Sequence, residues 1–304
     1  MSELPKSLKV VSLPEKYQGD RFSTASELVA ETFYKIIEPD SQSTWGYVSI
    51  DNTQRGPGLG GIRMVQNLSS NEIMRLARVM TLKNSAACLP YGGAKAGIIL
   101  KPSELIESSA YREELFEKLA DCLFELPAYA PAPDMGTNEK DIQIIHNNHS
   151  HKLGAEKHSR GGAGRPHENG GVPIDDWELT AHGLFSAAKV LASIDEKLNL
   201  SGTKFVVQGF GNVGAPTAIK LQELGAILVG ASDLNVALWN PNGLDPIALN
   251  KIRKEYGGLT NYPLKVTKSF SSDKLDWLLE APCDILIPSA RPDAITARNA
   301  DRIQ

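Results

Sequence analysis

Two lysines in a glycine-rich stretch are the first candidates for chemistry. Lys83 stands in a run with helical spacing, and Lys95 closes Pro90-Tyr-Gly-Gly-Ala-Lys95. An ammonium among apolar neighbours is costly unless an anion pairs with it or its tip reaches water. Lys83 is expected on the helix face marked by Leu76, Val79, Met80 and Ala87, in a helix opened by a Ser69/Glu72 capping box. Lys95 is expected in a loop, where Gly92 and Gly93 let the backbone approach a ligand and aim the side chain. A lysine amine can act as a fixed cation or, once deprotonated, as a base, and the residues by themselves show only that such groups are present. Taken singly, each lysine also fits a structural role, as a snorkelling side chain or a turn residue. Asp134 is the only charge in Pro131-Ala-Pro-Asp-Met-Gly-Thr137. Read from the residues alone, it is a turn carboxylate bonding its own backbone.

A second constellation binds rather than reacts. Gly209-Phe210-Gly211-Asn212-Val213-Gly214 is a G-x-G-x-x-G. It follows the strand-like Lys204–Gln208, opens a helix running to Leu224, and precedes a second strand over 226–232 that ends at Asp233. That is the full context of the dinucleotide fingerprint, with the acidic residue about twenty positions on. The glycines let a pyrophosphate reach a helix N-terminus, and Asp233 is placed to bond an adenosine ribose 2′-hydroxyl, which favours NAD over NADP. A third strand, Asp284–Pro288, delivers Ser289 and Ala290 to the carboxyl edge of the same sheet, where ligands sit in such folds.

The elements that must position these groups belong to an ordinary globular composition. Of 304 residues, 41% are hydrophobic and 22% charged, enough for two domains with sizeable cores. A net charge of −4 gives no reason to expect nucleic acid or an anionic membrane as partner. No stretch is long and apolar enough to span a bilayer, and the first twenty or so residues lack a signal-peptide core. Cys88, Cys122 and Cys283 have no metal or disulfide spacing, which fits a cytoplasmic protein. His151, His158 and His167 lie too far apart, without paired ligands, to predict a metal site. The expected order is a poorly ordered or docking arm over 1–20, a helix over 22–37, a strand over 44–50, a glycine-rich turn over 52–61 and a short strand over 62–65. The Lys83 helix and Lys95 loop follow, then a helix over 103–126 and a helix from 138 to 146 capped by Thr137. Later come a turn at 240–243 and a helix over 246–256.

The first stretch resembles the active-site region of the Glu/Leu/Phe/Val dehydrogenases. The matching words are GGIR at 60–63, MTLKNSAA at 80–87, PYGGAKAGI at 90–98 and APDMGT at 132–137, in that order. The resemblance implies an α/β fold, with a substrate-binding and oligomerisation domain over 1–175 and a Rossmann-type domain over 176–304. It implies a soluble homo-oligomer that uses NAD, or NADP, to deaminate an L-amino acid. By the same resemblance Lys83 holds the substrate α-carboxylate, Lys95 and Asp134 are catalytic, Leu59, Gly60 and Gly61 line the substrate pocket, and Thr180, Ser289 and Ala290 join the glycine loop in holding the cofactor. Gly164–Gly171 matches the family's crossover between domains. Glutamate-specific members carry lysine where this chain has Leu59, so the resemblance inclines to leucine, valine or phenylalanine, with glutamate as the alternative. Two departures stand out. Asp293 replaces the family's usual asparagine, and the family continues past the point matching Gln304. A fragment, or a shortened and non-catalytic relative, is therefore the second expectation. A 2-hydroxy-acid dehydrogenase would want a His base with an Arg clamp, and no such pair stands in a matching context.

Overall fold

A computed structural model describes residues 4–13, 30–100, 109–154, 163–164, 167, 171–174, 176–195, 198–262 and 268–303. The chain divides into two compact units, Met1–Pro173 and Ile174–Gln304. Parts of the expected arm, of the 22–37 and 103–126 helices and of the 164–171 crossover lie outside the described residues, as does His158.

The first unit is built on a six-stranded sheet. Its strands are β1 (Lys9–Ser12), β2 (Thr32–Ile37), β3 (Thr44–Asn52), β4 (Gly58–Val65), β5 (Gly92–Ile99) and β6 (Tyr129–Pro133). They lie in the order β1-β2-β3-β5-β4-β6, antiparallel as far as β5 and parallel across β5, β4 and β6. Residues 32–37 thus form a strand where a helix was expected. Phe33, Ile36 and Ile37 suit either period in so short a run, and pairing with β3 decides it. Lys95 likewise sits inside a strand, not a loop. The glycines around it serve close packing. A Cβ at Gly92 would lie 1.8 Å from the Asn52 carbonyl oxygen, and one at Gly93 would lie 2.1 Å from the Thr81 backbone nitrogen.

Period-two alternation gives this sheet two unlike faces. Val48, Ile50, Ile62, Met64, Ala94, Ala96 and Ile98 pack against α2 (Ser109–Phe124) and α3 (Glu139–Leu153) in the main hydrophobic core. The intervening residues, among them Ser49, Asp51, Arg63 and Lys95, turn to the other face, beneath α1 (Ser70–Ala86). Helix α1 is seated by Asp51, which accepts hydrogen bonds from Thr81 (2.5 Å) and pairs with Arg78 (3.3 Å). The buried stripe of α1 is Ile73, Met74, Ala77 and Asn84, with Val79 and Leu82 exposed. This stripe is rotated from the expected Leu76/Val79/Met80/Ala87 face, and Lys83 is accordingly exposed. Ser69 caps α1 by accepting from the Glu72 N–H (3.1 Å). The Glu72 carboxylate, expected to close the box, bonds Arg63 instead.

The second unit carries a five-stranded sheet in the order β10-β9-β8-β7-β11. Its strands are β7 (Lys204–Gln208), β8 (Ile227–Ser232), β9 (Val236–Trp239), β10 (Lys268–Ser271) and β11 (Ile285–Pro288). Strands β8, β7 and β11 are parallel, the Rossmann-type part, while β9 adds antiparallel to β8 and β10 antiparallel to β9. Helices α4 (Leu179–Ile194), α5 (Gly214–Glu223) and α6 (Pro246–Tyr256) complete it. Asp245 caps α6 through the Ile247 and Ala248 N–H groups, and Gly257, at φ +75°, ends it in the left-handed region. Helix α4 is apolar in sequence yet buries only Ala181, with Leu184, Val190, Leu191 and Ile194 exposed. No helix of the described residues is long and apolar enough to cross a membrane.

Candidate functional site

The ionic face of the first sheet carries the candidate reactive groups. Strand β5 places Lys95 there at 4% exposure. The turn after β6 brings Asp134 beside it, and the Asp134 Oδ2 accepts from the Lys95 Nζ. That turn is fastened to β4. The Thr137 hydroxyl donates to the Ile62 carbonyl (2.7 Å) and accepts from the Asp134 N–H (2.8 Å), and the Met64 N–H donates to the Met135 carbonyl (2.9 Å). Thr137 is therefore a turn latch. Asn138 caps α3, in a capping box with Asp141. Gly61 makes the approach of Asp134 possible, since a Cβ there would lie 2.8 Å from the Asp134 Cβ and 3.0 Å from its Oδ2.

Sequence reading missed two members of the site. Arg63 Nε donates to Asp134 Oδ1 (3.0 Å), and Arg63 Nη1 donates to Glu72 Oε1. Glu72, Arg63, Asp134 and Lys95 thus form one line of alternating charge, their side chains 16%, 8%, 14% and 5% exposed. The available signal was Arg63 itself, a charged residue at an inward position of a strand, which requires a carboxylate. Burial is the largest influence on Lys95 and lowers its pKa; Asp134 opposes this, and the Arg63 and Lys83 cations add to it. Burial alone would raise the Asp134 pKa, but Lys95 and Arg63, with the Met135 N–H, outweigh it and hold that carboxyl below its usual range. The site thus favours an ionised Asp134 and a lysine nearer to neutrality. Asp134 also bonds its own turn, accepting from Met135 N–H (2.6 Å), so the two readings of it hold together.

The other expected residues fall as follows. Leu59 is buried in β4 on the same face as Arg63, and its carbonyl accepts from Asn84 Nδ2 (3.3 Å). Gly60 lies against the Ala94 carbonyl, and its own carbonyl accepts from the buried Tyr129 hydroxyl (2.8 Å). Lys83 occupies the last turn of α1, near enough to Lys95 to act on its charge.

In the second unit the three glycines perform three different tasks. Gly209, at φ +90°, makes the turn, with Ala290 so close that a Cβ would meet its Cα at 2.7 Å. Gly211 faces open space, with nothing within 4 Å of a Cβ position. Gly214 packs α5 onto β7, where a Cβ would lie 2.2 Å from the Gly209 carbonyl oxygen and 2.7 Å from Val207. These are the turn, close-approach and helix-packing roles that a pyrophosphate-binding loop demands, so the residues fit a dinucleotide. Phe210 is buried and its N–H donates to the Ser232 carbonyl (2.6 Å). Asn212 is exposed on the loop, and Val213 precedes the first turn of α5. A cleft of about 320 Å³ opens here, lined by Gly209, Phe210, Gly211, Asp233, Leu234, Asn235, Arg253, Gly257, Gly258, Ser289 and Ala290. The Ser289 hydroxyl donates to the Gln208 and Gly209 carbonyls (both 3.0 Å), so it braces the loop. Thr180 is exposed near the start of α4 and is not among the residues lining the cleft. Among the described residues no group of three or more His, Cys, Asp or Glu is placed to hold a metal ion.

Comparison with known proteins decides the family. A model of the Glu/Leu/Phe/Val dehydrogenase dimerisation domain matches residues 32–151, and the Glutamate/Leucine/Phenylalanine/Valine dehydrogenase model matches residues 170–304. The chain belongs to the Glu/Leu/Phe/Val dehydrogenase family. It is 34% identical over 263 residues to a glutamate dehydrogenase of Aeropyrum pernix, and 32% over 265 residues to an NADP-specific glutamate dehydrogenase of Saccharolobus shibatae. Each match takes in 85% of this chain and 60% of the relative, so the chain spans about three-fifths of these relatives' length. The hetero-hexameric glutamate dehydrogenase of Thermus thermophilus, solved in a leucine-bound form, superposes with a TM-score of 0.72 at 26% identity, over 99% of this chain and 65% of that one. The glutamate dehydrogenase of Peptoniphilus asaccharolyticus gives 0.62 at 26% identity, over 98% and 65%.

Proposed function

We propose that the protein catalyses the NAD(P)-dependent oxidative deamination of an L-amino acid to its 2-oxo acid and ammonia. The observation that carries this reading is the buried Lys95–Asp134 pair, on a sheet face that holds no other primary amine in an ion pair among the described residues. The nicotinamide cofactor, when bound, accepts the hydride from the substrate Cα. The chain's own residues do the rest. Lys83 offers its ammonium to the substrate α-carboxylate. Lys95, its proton loosened by burial, takes a proton from the water that adds to the imine carbon. Asp134, held ionised by Arg63 and Lys95, takes a proton from the reacting centre and passes it to the departing ammonia. The second unit's glycine loop supplies the backbone that receives the pyrophosphate.

For the side-chain specificity, the buried Leu59 argues for an apolar substrate. A second carboxylate against it would lose hydration without a partner, at a cost of several kcal/mol, whereas a leucine side chain would gain roughly 1–3 kcal/mol. The names of the relatives favour glutamate, and that is the second reading. The first unit, matched by a model described as a dimerisation domain, is the part we assign to self-association into a homo-oligomer. Initial rates of NAD and NADP reduction with L-leucine, L-valine, L-phenylalanine and L-glutamate test the proposal. Turnover that Lys95→Ala abolishes supports it. A rate surviving that substitution would remove Lys95 from the chemistry, and no rate with any of the four would favour a non-catalytic relative.

A further inference from the structure

The cleft at the glycine loop has a second charged residue that the dinucleotide fingerprint does not include. Building on the proposed cofactor role, we propose that Arg253 receives the 2′-phosphate of NADP, so that the adenosine end of the cleft accepts NADP at least as well as NAD. Asp233, the residue that would select a free ribose hydroxyl, is already occupied. Its Oδ1 accepts from the Asn235 and Val236 N–H groups, both at 2.8 Å, and its Oδ2 accepts from the Leu259 N–H at 2.6 Å. Gly258 presses on that second oxygen, since a Cβ there would lie 2.8 Å from it. A carboxylate has about four lone-pair sites, and three are filled by the β8–β9 turn and the segment after α6. What remains cannot grip both ribose hydroxyls, which is the arrangement that rejects a 2′-phosphate.

Arg253 is held differently. Its Nε donates to Asn250 Oδ1 at 3.1 Å, and its Nη1 donates to Asn212 Oδ1 at 3.3 Å. Both partners are neutral amides, and among the described residues no carboxylate pairs with Arg253. The guanidinium is thus aimed by its neighbours without being neutralised, and Nη2 keeps its donors. Asn212 belongs to the glycine loop and Asn250 to α6, so the cation spans the two walls of the cleft that Asp233 also lines. A planar guanidinium is the side chain best matched to a phosphate by bidentate hydrogen bonding.

Titration calorimetry of the purified chain with 5′-AMP and with adenosine 2′,5′-bisphosphate separates the possibilities without any turnover. The bisphosphate should bind at least as tightly as 5′-AMP. Arg253→Ala should weaken the bisphosphate tenfold or more and change 5′-AMP less than twofold, while Arg253→Lys should recover part of the loss. Wild-type preference for 5′-AMP, or equal losses on both probes, would overturn the proposal and leave the dinucleotide role standing. Binding of neither probe would overturn that role as well.

Discussion

Gly61→Ala should separate the proposed catalytic pair, Lys95 and Asp134, while leaving both side chains in the sequence. The new Cβ would lie 2.5 Å from the Pro133 carbonyl oxygen and 2.8 Å from the Asp134 Cβ, both parts of a turn pinned to β4. Ordinary contact begins at 3.4 Å, so relief requires roughly 0.9 Å of movement by the Pro133–Asp134 backbone. Neither obstacle is the end of a flexible side chain, so the strain should cost about 1–3 kcal/mol of stability. A carboxylate displaced by this much is out of line for proton transfer, which is worth on the order of 100-fold in kcat. The displacement also takes away the main influence holding the Lys95 proton on. The pKa of Lys95 should fall further, and the acid limb of the kcat/KM profile should move to lower pH. Denaturant unfolding, kcat and that profile measured together distinguish this from simple destabilisation. A variant that keeps wild-type kcat and an unmoved acid limb would refute the reasoning.

Other perturbations follow from the same geometry. Gly183→Ala, on α4 with nothing within 4 Å of the Cβ position, should stabilise the chain by roughly 0.5–1 kcal/mol in denaturant unfolding. Because the folded pKa of Lys95 lies below its unfolded value, the unfolded chain binds the extra proton between the two. The stability of the wild type relative to Lys95→Met should therefore rise with pH through that window, and a flat difference would contradict the buried-amine assignment. Cys88 is exposed, whereas Cys122 is buried with its thiol pushed up to about 12, so a disulfide reagent should label Cys88 in the native protein and reach Cys122 only on unfolding. Leu59→Lys should raise the glutamate-to-leucine ratio of kcat/KM by tenfold or more, and an unchanged ratio would mean that specificity is set elsewhere.

The glycine loop was the most legible part of the chain, because each glycine there answers a local demand that the sequence context states: a strand before, a helix after, an acid further on. Helix α6 was legible in its bounds, 246–256, and the structure adds the caps, Asp245 and Gly257, that fix its ends. The Lys95 segment misled, because glycines at 92, 93 and 97 look like loop composition, yet they are small so that α1 and neighbouring backbone can come close to a central strand. The face of α1 was misread by choosing among several apolar residues in one helix. Only the strands beneath, and Asp51 with Arg78 and Thr81, determine which side is buried. Glu72 was read as a local cap, and its partner Arg63 could not be found by spacing, since it sits on a different element. Contacts that join elements remote in sequence leave little trace in any single window of residues.

The two-faced strand β5 also bears on how the chain finds its fold. Ala94 and Ala96 enter the hydrocarbon core while Lys95 between them enters the ionic layer. A slip of β5 by one residue against its neighbours would exchange these roles, sending an ammonium into a packed apolar layer and leaving Arg63, Asp134 and Glu72 to balance one another without it. Burying an unpaired charge costs several kcal/mol, more than most single packing errors, so such misaligned pairings are disfavoured as the sheet assembles. The residue proposed to equip the sheet for chemistry thereby also serves as its alignment pin, and substitutions that spare the fold while removing the charge should leave a sheet less certain of its register.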